Sequence, residues 1–172
     1  GLGGRGVAPE AKLAGFNAIS VLDGSKQYVD IRYSWGDGPE ARAMDVFNNS
    51  FGVSDSVYQF SDLDEQRSLE KMMRAQRGGK GGIYVKASGN SFNSLVGFDA
   101  QDKMIDRCSD QTRQLGVACS SANVDNLNSL TTMIVVGAVN ANGVRASYSS
   151  PGSSLWVSGL GGEYGFQHRF DP

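Results

Sequence analysis

The side chains with chemical potential in this 172-residue sequence are concentrated in one stretch, Gly81 to Asn90, GGIYVKASGN. Ile83, Tyr84 and Val85 form a short run of β-branched and aromatic residues suited to a buried strand. The run breaks at Ala87-Ser88-Gly89-Asn90. Small residues there let a second backbone approach closely, and Gly89 permits φ angles closed to other residues. Asn90 ends the break with an amide that can donate hydrogen bonds. At the carboxyl end of a parallel strand, where open α/β sheets place their ligands, that amide could serve a developing oxyanion. The plainer reading is a strand followed by a Gly-Asn turn, and these ten residues do not separate the two.

Other routes to catalysis are poorly supplied. A serine or cysteine hydrolase needs a nucleophile beside a base and a third group to orient the base. His168 is the single imidazole, set in Gln167-His168-Arg169 near the end of the chain, and it reads as a surface histidine. There is no Walker motif, no G-x-G-x-x-G after a strand and no paired-histidine metal motif. Cys108 and Cys119 are too few for a metal site without further ligands. They can close a disulfide loop worth about 3 kcal/mol, which would place the protein outside the reducing cytosol, or remain free thiols within it. Asp99, Asp102, Asp106 and Asp110 could ligate a hard cation such as calcium through oxygen, but EF-hand spacing is absent. The alternative is a solvated acidic loop.

The elements that must position these residues follow from pattern. Gly1 to Gly6 is a glycine-rich lead-in that begins abruptly and reads as a cut through a longer chain. A turn at Val7 to Glu10 precedes an alternating strand over Lys12 to Ile19, closed by Leu22-Asp23-Gly24. Tyr28 to Trp35 reads as irregular helix or turn, and Pro39 to Met44 as a helix start with proline in its first turn. Asp45 to Ser50 is the next buried strand, leaving through Ser50-Phe51-Gly52. Ser61 and Asp64 make a capping box for a helix reaching about Arg77, with Leu63, Leu69, Met72 and Met73 buried and Gly78-Gly79 as its stop. Strand, helix and strand from Val46 to Ala87 predict a parallel pair with a crossover.

After Asn90 the pattern dissolves for some forty residues up to Ser129, a length usual for functional or tied-down loops. Met133 to Val139, MIVVGAV, is apolar on both faces and should be a central strand. Asn140 to Gly143 turns the chain, Leu155-Trp156-Val157 is a final short strand, and Gly159 to Gly165 is a glycine-rich exit. One domain is the natural size for this length. Sixteen basic against eighteen acidic side chains leave a formal charge of -2, which argues against nucleic acid as a partner. No apolar run approaches the ~18 residues of a membrane span, and the start lacks the regions of a signal peptide.

Several segments in order resemble a known family. Gly6-Val7-Ala8-Pro9, Asn49-Ser50-Phe51-Gly52, Ala87-Ser88-Gly89-Asn90, Val136-Gly137-Ala138-Val139 and Arg145-Ala146-Ser147-Tyr148-Ser149-Ser150 together look like the middle of a subtilisin-like serine protease, a subtilase. The longer run from Arg77 to Asn90, RGGKGGIYVKASGN, resembles the kexin and furin branch. The likeness covers nearly the whole chain except the loop from about Phe92 to Cys119.

The resemblance implies an α/β fold with a mainly parallel sheet and flanking helices, here residues 1–172 as the central part of one larger peptidase domain. It also implies a secreted endopeptidase working through an acyl-enzyme, with peptide or protein substrates and the remaining segments of the same domain as partners. Asn90 matches the asparagine that stabilises the oxyanion, a contribution of about 2.7 to 4 kcal/mol. Ser50, Phe51 and Gly52 match the backbone that pairs with extended substrate, and Ala87, Ser88 and Gly89 match a wall of the pocket for the side chain before the cut. Asp55 and, across a one-residue gap, Asp125 resemble acidic groups that select Arg or Lys there by charge-assisted hydrogen bonds; a pair of ordinary loop aspartates is the alternative.

The family's catalytic aspartate, histidine and serine motifs are not in the sequence, so the segment resembles the stretch between the catalytic histidine and serine. Ser150 stands where a calcium-binding acidic residue is expected, which leaves a structural calcium ion open; the chemistry itself requires no cofactor. The other functional class is a non-catalytic peptide-binding module, a pseudoprotease fragment holding peptides against Ser50 to Gly52.

Overall fold

The structure is a computed structural model that describes residues 6–17, 29–53, 57–58, 62–101 and 103–163. The backbone divides into two compact units, Gly1–Arg42 and Ala43–Pro172.

In the first unit the chain from 11 to 17 is irregular, and Leu13 is exposed. The strand expected over Lys12 to Ile19 is therefore absent across its described part. Alternation alone does not make a strand without a neighbour to take its backbone hydrogen bonds, and none pairs there among the described residues. Ala18 and Ile19 and the close at Leu22-Asp23-Gly24 lie outside the described residues. Residues 29–32 are helical and run into a widened turn at Tyr33–Asp37, where Gly36 at φ 130 breaks the helix. That matches the irregular helix read from Tyr28 to Trp35. The proline-led helix shrinks to a single 3-10 turn, Ala41–Ala43.

The second unit is built on a four-stranded parallel sheet. Its strands are β1 (Val46–Asn49), β2 (Ile83–Ala87), β5 (Met133–Val139) and β6 (Leu155–Leu160), in spatial order β1-β2-β5-β6. Asn49 pairs with Lys86, Ala87 with Val136, and Val136 with Val157. β5 is flanked on both sides, as its two-faced apolar sequence demands, while β1 is an edge strand with alternate residues exposed. Phe47 and Tyr84 stack across the β1–β2 pair with ring centroids 4.4 Å apart, a contact worth about 0.5–1.5 kcal/mol beyond its area. β6 runs to Leu160, three residues beyond the expected Val157, taking up part of the glycine-rich exit.

Between β1 and β2 lies α1 (Leu63–Gly79), capped by Asp62, whose carboxylate accepts the Asp64 N–H at 2.8 Å. Ser61 of the expected capping box lies outside the described residues. Helical geometry ends before Gln76, and Arg77, Gly78 and Gly79 all have positive φ, so the glycine stop is where the sequence placed it. Leu69 and Met73 are buried, Met72 is half-buried and Leu63 is exposed, because the buried stripe runs through Gln66, Leu69, Met73 and Gln76 and Leu63 falls off it.

The forty-residue loop is more ordered than its composition suggested. It holds an antiparallel hairpin of β3 (Val96–Phe98) and β4 (Met104–Asp106) and a short helix, α2 (Asp110–Gln114). The Cys108–Cys119 disulfide closes it, with Cα atoms 5.3 Å apart. No described helix is long and apolar enough to cross a membrane.

A candidate substrate cleft at the strand ends

Because β1, β2 and β5 run parallel, β1 and β2 release their chains at the same edge of the sheet, where such folds place ligands. β1 exits through Ser50-Phe51-Gly52 and β2 through Ser88-Gly89-Asn90. Between them lies a cleft of about 390 Å³, lined by both exits and closed by Ser120 to Ala122, Asp125, Asn128 and Ser150. Of the residues singled out from sequence, Ser50, Phe51, Gly52, Ala87, Ser88, Gly89, Asn90 and Asp125 all line it. Asp55 and His168 lie outside the described residues.

The β2 exit is held by three hydrogen bonds, to β5 and to Ser150. Ser88 donates its N–H to the Val136 carbonyl at 3.0 Å, Ser150 donates its N–H to the Gly89 carbonyl at 3.0 Å, and the Ser91 N–H reaches Ser150 Oγ at 2.9 Å. Gly89 has φ +107, and a Cβ there would stand 3.1 Å from Ser150 Oγ. The positive φ favours glycine, and a side chain there would also press against Ser150 Oγ. Ser149 Oγ accepts the Ala138 N–H at 2.9 Å, fixing the serine pair to β5. Asn90 emerges from this frame with its side chain exposed.

The base of the cleft is charged and closed. Lys86 and Asp125 form an ion pair with Nζ 2.8 Å from Oδ2, their side chains 1% and 4% exposed. The ammonium also donates to the Phe51 carbonyl at 2.7 Å. The carboxylate accepts the Val53 N–H at 3.1 Å and the Leu127 N–H at 3.0 Å, the latter starting the 3-10 turn Asn126–Ser129. Two side chains therefore hold the β1 exit, the end of β2 and the far wall together. Gly52 rests directly on them: a Cβ at this position would collide with the carboxylate and the ammonium. Asn128 donates Nδ2 to the Ala122 carbonyl at 2.7 Å, which leaves its Oδ1 buried without a partner.

Sequence reading placed Asp125 in the cleft but missed its partner. Lys86 is two residues from Tyr84, on the same face of β2, and both are buried. Burial of a lysine on that face signals a carboxylate opposite, yet nothing local shows that the carboxylate is Asp125.

Asp99 and Asp106 of the long loop serve its own backbone, while Asp110 pairs with Arg113. Asp106 Oδ1 accepts N–H groups from Leu95 and Cys108, each at 2.9 Å, and Oδ2 meets the Arg113 guanidinium. These donors, Leu95 first, hold the Asp106 carboxyl below the usual range. Asp99 Oδ1 accepts from Gln101 and Lys103 across the hairpin turn. Asp102 lies outside the described residues, and among the described residues no group of three His, Cys, Asp or Glu could hold a metal ion.

Comparison with known proteins agrees with this architecture. Residues 1–163 match the model of the Subtilase family of peptidases. The chain is 36% identical over 167 residues to the Aeromonas extracellular serine protease of Aeromonas sobria and 33% identical over 178 residues to the microbial serine proteinase of Aeromonas salmonicida. In both cases 95% of this chain is matched but only 25% of the relative, so it spans about a quarter of their length. The crystal structure of the Aeromonas sobria serine protease superposes with a TM-score of 0.73 at 36% identity, covering 93% of this chain and 26% of that one. With a family match over nearly its whole length and a parallel sheet that superposes on a solved relative, the chain belongs to the subtilase family of serine peptidases.

Proposed function

We propose that this chain is the part of a secreted subtilisin-like endopeptidase that lies between the catalytic histidine and serine motifs and supplies the oxyanion donor and much of the substrate cleft. The observation that carries this reading is the pair of parallel strand exits flanking one cleft, with the Asn90 amide exposed between them. In the reaction, a serine attacks the scissile carbonyl, negative charge moves to the carbonyl oxygen, and Asn90 Nδ2 donates to it. Such a donor is worth most when the charge has formed, so it lowers the barrier more than it tightens substrate binding. The backbone of Ser50 to Gly52 aligns extended substrate by strand addition, and Ala87 to Gly89 walls the pocket before the cut.

Secretion is supported by the disulfide, which oxidising surroundings favour, and by the extracellular name of the Aeromonas sobria relative. The run RGGKGGIYVKASGN supports the kexin and furin branch. A preference for basic residues before the cut would draw chiefly on Asp55, since Asp125 already faces an ammonium.

In the full-length protein, Asn90→Leu should lower kcat by a factor of about 10²–10³ with little change in KM, as loss of an oxyanion donor does. Turnover near that of the wild type would sink the assignment. Peptide binding by the folded wild-type protein without any hydrolysis would favour a non-catalytic module instead.

A further inference from the structure

Among the described residues that line the cleft, Lys86 and Asp125 are the charged ones, and they are paired with each other. The carboxylate already receives three donors, from Lys86, Val53 and Leu127. Among the described residues, the buried side-chain acceptor that the lining leaves open is neutral, Oδ1 of Asn128. Its orientation follows from chemistry, because turning the amide over would set oxygen against the Ala122 carbonyl.

We propose that Lys86 is a specificity-determining residue: its ammonium neutralises Asp125, so the cleft floor presents no net charge to the substrate side chain, and removing it turns the pocket toward cations. The inference rests on the peptidase reading above. A carboxylate released from Lys86 would sit among the same donors with its strongest partner gone, and a guanidinium or ammonium from substrate is the group that can replace that partner. Substrates with neutral side chains would leave it unpaired. Loss of the Lys86 anchor on the Phe51 carbonyl would slow all substrates alike, so the effect lies in the ratio between them.

The test is Lys86→Met in the full-length protein, assayed on peptides differing only in Arg or Leu before the cut. The Arg-to-Leu ratio of kcat/KM should rise about tenfold or more over wild type, and Lys86→Met with Asp125→Asn should bring it back to within about threefold. A folded Lys86→Met protein whose ratio stays within about twofold of wild type overturns the proposal. Should Lys86→Met fail to fold, Asp125→Asn reads the same pair from the other side. The ammonium then lacks its carboxylate and Glu-containing peptides should gain on Leu, whereas an unchanged Glu-to-Leu ratio refutes it. Dissociation constants of the same peptides with an N-methylated scissile bond give these ratios even without turnover. Absence of hydrolysis thus counts against the peptidase reading, and an unchanged ratio against Lys86.

Discussion

Two carboxylates in this molecule do the same geometric job in different surroundings. Asp125 and Asp106 each accept two backbone N–H groups from separate segments and each meet one cation. Asp125 and Lys86 are almost wholly buried beneath the cleft, whereas Asp106 and Arg113 are each 38% exposed at the edge of the disulfide-closed loop. Solvent is at hand to replace a lost partner at Asp106, whereas at Asp125 it is nearly excluded while Lys86 is in place. The same hub is therefore rigid and costly to break in the cleft, and modest in the loop, where a covalent bond supplies much of the constraint.

The largest effect should come from breaking the buried pair. Asp125→Ala strands an ammonium at 1% exposure and should lower unfolding free energy by about 3–5 kcal/mol; chemical denaturation of the full-length protein measures it, and a loss under about 1 kcal/mol would erase the contrast. Next is the loop's covalent tie. Replacing Cys108 and Cys119 by serine reopens an eleven-residue separation and should cost about 3 kcal/mol while leaving the cleft's peptide preference unchanged, since neither cysteine lines the cleft.

The smallest effect belongs to Asp106. Asp106→Asn keeps one acceptor oxygen and should cost about 1 kcal/mol near neutral pH. The pH dependence sharpens this. The folded-state pKa of Asp106 is depressed, through the Leu95 and Cys108 amides and then Arg113. Its contribution is therefore complete above the unfolded-state value of about 3.9 and is lost as pH falls through the lower folded value. Melting temperatures of wild type and Asp106→Asn should converge on acidification through that window, and a gap that persists below it would contradict the depression.

The sheet was legible where sequence patterns are local. MIVVGAV, apolar on both faces, read as a central strand and is one, and the small-residue exits after Asn49 and Ala87 both line the cleft. Three things were not legible. The β3–β4 hairpin uses strands of three residues each, too short for alternation to register. The strand expected from Lys12 had the right alternation but no pairing partner among the described residues. Lys86 and Asp125 lie 39 positions apart, and no periodicity links a strand lysine to the cap of a 3-10 turn; only the fold brings them together. Asp125 consequently read as a carboxylate offered to substrate, when it is already engaged within the chain.

The most direct measurement is a crystal structure of the full-length protein with a peptide boronic acid, which forms a tetrahedral adduct on a nucleophilic serine. The account predicts Asn90 Nδ2 about 2.7–3.1 Å from an adduct oxygen, with the peptide backbone laid along Ser50 to Gly52. An adduct at another edge of the sheet, or an Asn90 amide turned away from it, would contradict the assignment of the cleft.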